Sequence, residues 1–176
     1  MTDNKTTPGV PRRPSRSETG FLLLFHAVLS GSFLVAYLTG DEDTYGMHLF
    51  AGYTVLAALG SRLAVALLAP AGSPLALPRP SMSPTFAWLR RLAAGDGQAL
   101  RARSPLYPWM AVVMLAFAAL VAASGWIADR LPSVEELHEA AAELTPAVII
   151  VHISVAAVLH WLRRLATARA AAAAVG

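Results

Sequence analysis

Of the chain's five histidines, His26 falls on the first apolar stretch, His48 on the second, His152 on the fourth with His160 near its end, and His138 on the helical run that leads into the fourth. An ionisable ring in such a segment costs free energy unless it has work to do, and a neutral imidazole is a strong metal ligand. Two imidazoles from opposing helices at one depth would fill both axial positions of an iron porphyrin. Depth follows from a helical rise of about 1.5 Å per residue, which puts His152 roughly 21 Å deeper than His138 and His26 roughly 20 Å below the end of its helix at Thr39. His26 and His152 therefore share an inner level, and His48 and His138 share an outer one. That pattern predicts two haem b groups. The chain has no cysteine, so thiolate metal sites, iron–sulfur clusters and thioether-linked haem are excluded, and any haem is held noncovalently.

Each of the four has a small residue one turn later on the same face: Ser30, Gly52, Ala142 and Ala156. Small side chains there leave room for a ring to approach the backbone. Arg62, 14 residues past His48, reaches the inner level as a partner for a haem propionate, with a snorkelling interfacial arginine as the competing reading. For His48 and His138 the competitor is an ordinary interfacial histidine. His160, beside Trp161 and Arg163, reads first as a rim residue and second as a propionate or quinone contact. Ser30 and Glu139 are conceivable hydrogen-bond partners for the ligands' other ring nitrogens.

The elements that must carry these residues are membrane helices. Hydrophobic residues make up 56% of the 176 and charged residues 14%, with a mean hydropathy of +0.52, a composition that a soluble domain rarely tolerates. Four stretches, 21–39, 47–69, 107–128 and 144–162, are each about the ~20 residues that cross hydrocarbon as a helix. The expected class is an all-α integral membrane four-helix bundle. The first stretch is too long for the core of a cleavable signal and is expected to remain.

Arginines and Lys5 cluster before the first stretch, between the second and third, and after the fourth, whereas the other two connections are acidic: Asp41, Glu42 and Asp43, then Asp129, Glu135, Glu136 and Glu139. The positive-inside rule places both termini in the cytoplasm. No basic-aromatic module accompanies the arginines, which argues against nucleic acid as a partner.

Residues 1–19 read as a flexible tail, 20–166 as the transmembrane domain and 167–176 as a low-complexity end. Pro70 to Pro84 reads as an extended linker. The run Phe86, Trp88, Leu89, Leu92 with Arg90 and Arg91 predicts either a short interfacial helix, with Trp88 at headgroup level and the arginines on anionic lipid, or a connector ordered by the bundle. Helix four is expected to start outside the membrane with a Ser133–Glu136 capping box and to kink near Pro146.

The ordered set His26 to Thr39-Gly40, His48-x3-Gly52-Tyr53, Arg62, Gly125-Trp126, Leu137-His138-Glu139, His152 and His160 resembles the bacterial cytochrome b561 and nickel-hydrogenase b-type cytochrome family over about residues 20–166. The resemblance implies a four-helix cytochrome of the bacterial inner membrane. It implies haem held by His26 with His152 and by His48 with His138, and electron exchange with quinone or with a periplasmic or membrane redox protein. Bis-histidine iron has no open position, so the expected role is an electron-transfer component and not a self-contained catalyst. A single-haem or haem-free anchor subunit of a larger oxidoreductase is the alternative, and homo- or hetero-oligomers are compatible with either.

Overall fold

A computed structural model describes residues 14–70 and 72–173. Among them every regular element is helical: α1 (Arg16–Leu38), α2 (Tyr45–Leu68), α3 (Met82–Ala93), α4 (Gly97–Arg101), α5 (Leu106–Ala128), α6 (Glu135–Glu143) and α7 (Thr145–Ala173), with 3₁₀ turns at Glu42–Thr44 and Pro132–Val134. Four helical stretches are long and apolar enough to cross a membrane: α1, α2 with the turn before it, α5, and α6 with α7. A 23-residue helix such as α1 or α5 spans about 34 Å at the standard rise, against a hydrocarbon core of about 30 Å. The described residues thus form an all-helical structure with four helices able to cross a bilayer.

The helix α1 starts five residues before the first apolar stretch. Ser15 caps it: the Glu18 amide donates to Ser15 Oγ at 3.2 Å and the Ser15 amide donates to Glu18 Oε2 at 2.7 Å, a complete capping box. Residues 16–19 of the expected tail are therefore helical, while residues 1–13 of it lie outside the described residues. Ser15→Ala is expected to cost about 0.5–2 kcal/mol locally, read as faster amide exchange over residues 16–19 with the rest of α1 unchanged.

The chain divides into two compact units, one comprising the residues up to Leu77 with Ala119–Glu135, the other Pro78–Ala118 with Glu136 onward. In the first unit α1 packs against α2. The buried residues of α2 are Ala51, Val55, Ala58, Arg62 and Ala66, spaced as one helical stripe and small apart from the arginine, which permits close approach of a neighbouring backbone. The segment after α2 is less extended than a proline-rich linker suggests. It turns at Pro70–Ser73 and again at Ser73–Ala76, with Gly72 at φ +83°, a left-handed conformation that glycine adopts without strain. Ser73 Oγ donates to Glu18 Oε1 at 2.8 Å, tying this segment to the first turn of α1.

In the second unit α3 opens at Met82, so Pro84 falls in its first turn, where a missing N–H costs nothing. The Trp88 side chain turns inward and does not serve as an exposed anchor. It is 8% exposed, and its Nε1 donates to the Ala99 carbonyl of α4 at 2.9 Å. Arg91 Nε donates to Asp96 Oδ2 at 2.8 Å; that bond first, and the Gln98 amide second, hold the Asp96 carboxyl below its ordinary range. Asp96 also caps α4 through the same Gln98 amide.

The fourth stretch is interrupted close to Pro146, where a kink is expected, but it starts differently from the expectation. Ser133 lies inside the 3₁₀ turn and α6 begins at Glu135, so the expected capping residue is not the helix cap. The helix then breaks at Leu144, and α7 restarts at Thr145 with Pro146 as its second residue, a position where proline needs no backbone partner. Regular bonding resumes as the Val148 amide donates to Leu144 O at 3.1 Å, and Thr145 Oγ1 donates to Ala141 O at 3.3 Å across the break. From there α7 runs on through most of the expected low-complexity end to Ala173; residues 174–176 lie outside the described residues.

Candidate functional site

His26, His48 and Arg62 belong to the first unit, and His138, His152 and His160 to the second. His48 is the most fully defined. It lies in the first turn of α2 facing α1, and its Nδ1 is 2.8 Å from the Ala36 carbonyl oxygen near the end of α1. A carbonyl only accepts, so Nδ1 carries a hydrogen, and in the neutral ring the lone pair is on Nε2. That is the tautomer in which an imidazole ligates through Nε2 while a backbone acceptor orients the ring. Tyr45, one turn earlier, stacks on the ring with planes 10° apart and centroids at 6.1 Å. Neither partner was picked out by sequence reasoning; the i, i+3 spacing pointed to Tyr45, whereas Ala36 is visible only once α1 and α2 are paired.

One turn after His48 the helix carries no side chain, at Gly52. A Cβ built there meets nothing within 4 Å. Further round, Arg130 donates to Tyr53 Oη at 3.5 Å and to the Trp126 carbonyl at 2.8 Å, and its guanidinium lies 4.7 Å from the centre of the Trp126 ring. The basic residue of the otherwise acidic connection is thus held at the end of α5 by the two aromatics of the motif.

His26 lies on the exposed side of α1, and its ring makes no hydrogen bond with any described residue. Ser30 does not reach that ring. Its hydroxyl is spent on its own helix, donating to the carbonyl oxygens of His26 at 2.7 Å and Ala27 at 3.3 Å. Arg62 is 5% exposed, which removes the snorkelling reading. Its Nη1 donates to Leu75 O at 2.6 Å and its Nη2 to Ala76 O at 3.4 Å. No described carboxylate pairs with it, so a full positive charge is buried against carbonyl dipoles alone. Arg62→Leu is expected to lose about 1.5–3 kcal/mol, the range for hydrogen bonds to a charged group. A lowered melting temperature in detergent and faster proteolysis within residues 72–77 would register it.

In the second unit His152 is half-buried on α7. Its Nδ1 is the one side-chain nitrogen or oxygen among the described residues that is both enclosed and without a hydrogen-bond partner. An unsatisfied buried polar atom costs about 1–3 kcal/mol, so this nitrogen calls for a partner. His138, on α6, is half-buried; Glu139 beside it is exposed and makes no hydrogen bond with a described residue. His160 is exposed on α7. No group of three or more His, Asp or Glu side chains among the described residues could hold a bare metal ion. This finding concerns bare ions only, since a porphyrin would bring its own ring nitrogens.

Compared with known proteins, the chain matches no family model, no curated protein and no solved structure. What defines it is the set of four apolar helices and the histidines they carry.

Proposed function

We propose that this protein is a membrane-bound b-type cytochrome of the bacterial inner membrane, a four-helix bundle with both termini cytoplasmic, which conducts electrons between a redox partner and quinone. The observation that carries the reading is the Nδ1–H of His48 donating to Ala36, because it sets the tautomer and orientation a ligand imidazole requires. The enclosed, unpartnered Nδ1 of His152, the open space at Gly52 and the counterion-free charge of Arg62 support it. By their depths along the helices His26 with His152 and His48 with His138 would hold the two haems, and a propionate of the inner haem would give Arg62 an anion.

Haem, when bound, supplies a one-electron couple that six-coordinate iron can cycle without binding substrate. The chain's own residues do the rest. Imidazoles fix the ring, Ala36 sets the basicity of His48 through a backbone hydrogen bond, and the apolar helices exclude water and so raise the cost of the charged state. Arg130, held over Trp126, offsets the acidic face at which a soluble donor or acceptor would dock.

The test is a dithionite-reduced minus oxidised optical spectrum with haem quantitation on the purified full chain. Two haems per chain and a b-type α-band are expected. One haem per chain selects the single-haem reading. No Soret band selects a haem-free anchor subunit and overturns the proposal.

A further inference from the structure

The apolar residues of α3 that Trp88 leaves outside form a second face. Met82, Phe86 and Leu89 are 59%, 61% and 42% exposed and stand at i, i+4 and i+7, one continuous stripe beside the Thr85, Trp88 and Leu92 side. Two hydrogen bonds fix where that stripe lies. Trp109 Nε1, in the first turn of the membrane-length helix α5, donates to Thr85 Oγ1 at 3.2 Å, and Trp88 Nε1 ties α3 to α4, which in turn packs on α7. The helix is therefore held at the level where α5 ends, which is the level of a bilayer surface if α5 crosses it.

Charge at this level has one sign. From Pro78 to Pro105 the chain carries Arg79, Arg90, Arg91, Arg101 and Arg103 against a single carboxylate, Asp96, which Arg91 already engages. Nearby, a groove walled by Leu100, Leu162 and Leu165 is flanked by Arg101 and Arg169. Apolar side chains at the height of the headgroups, rimmed by guanidinium groups, match a leaflet of anionic phospholipid: acyl carbon for the stripe and phosphate for the arginines.

We infer that α3 is an interfacial anchor, with Met82, Phe86 and Leu89 inserted into the leaflet and the surrounding arginines on anionic lipid phosphates. The inference rests on the membrane part of the functional reading and not on haem, so it survives a protein without a Soret band.

The absence of cysteine makes site-directed spin labelling direct. Single variants Met82→Cys, Phe86→Cys, Leu89→Cys and Ala94→Cys of the full chain are reconstituted into vesicles of phosphatidylcholine with one-third phosphatidylglycerol, or of phosphatidylcholine alone. Collision with oxygen and with a water-soluble nickel complex gives label depth. The three stripe labels are expected to lie roughly 5–10 Å inside the headgroup–acyl boundary and to move outward without the anionic lipid, while the label at 94 stays aqueous. Arg90→Gln with Arg101→Gln should move them outward in the anionic vesicles too. Stripe labels as water-accessible as the one at 94 would overturn the proposal. So would labels screened from both reagents, which signals a covering protein surface, or depths indifferent to the headgroup charge.

Discussion

His152→Ala is expected to remove one haem of two and leave the second. Its ring is the enclosed, unpartnered imidazole of α7, and an axial ligand cannot be replaced by a methyl group, so about half the Soret absorbance should go with it. The informative step is the pairwise combination. If His26 and His152 hold the same haem, the double variant His26→Ala with His152→Ala loses no more haem than either single change, because the second substitution acts on a site already empty. His26→Ala with His48→Ala, drawn from different pairs, should lose both. Full haem content in His152→Ala would sink the inner site, and the reverse pattern of the doubles would reassign the partners.

The second large effect is expected at Gly52. A leucine there meets no other atom of the chain at its Cβ, and replacing glycine within a helix gains about 1 kcal/mol in helix propensity. The apoprotein should therefore fold as well as before or better. Its isobutyl group would nonetheless fill space one turn from His48, so on the proposed reading Gly52→Leu should lose the outer haem while helicity by circular dichroism is unchanged. Gly60→Leu is the matched control, since a Cβ at Gly60 is equally unopposed and follows no histidine. Two haems in Gly52→Leu would show that the space beside His48 serves something else.

The four long helices were legible because hydropathy over some twenty residues is a summed signal that no single residue can disturb. Where a helix began was harder. Ser15 and Glu18 spell a capping box, yet they precede the apolar run and share the composition of the tail, so α1 was expected to start at residue 21 and starts at Arg16. The amphipathic character of α3 was also readable, but not which of its aromatics faces inward. Trp88 turns in because Ala99 offers a carbonyl to its indole, and that offer depends on the path of α4. Arg62 shows the same limit. Its position at the inner level followed from counting residues, whereas its bonds to Leu75 and Ala76 depend on the segment after α2 doubling back. Of the candidate ligands, residue type and place along each helix could be read in advance, and the hydrogen bond that orients His48 could not.

The break at Leu144 changes what spacing means for the two histidines on either side of it. On one unbroken α-helix, residues 138 and 152 would point within roughly 40° of each other around the axis, locked together by geometry. With the helix interrupted at Leu144, the bearing of each ring is set by its own segment, α6 for His138 and α7 for His152. An insertion or deletion at that interruption is then expected to turn one ring and leave the other where it stands.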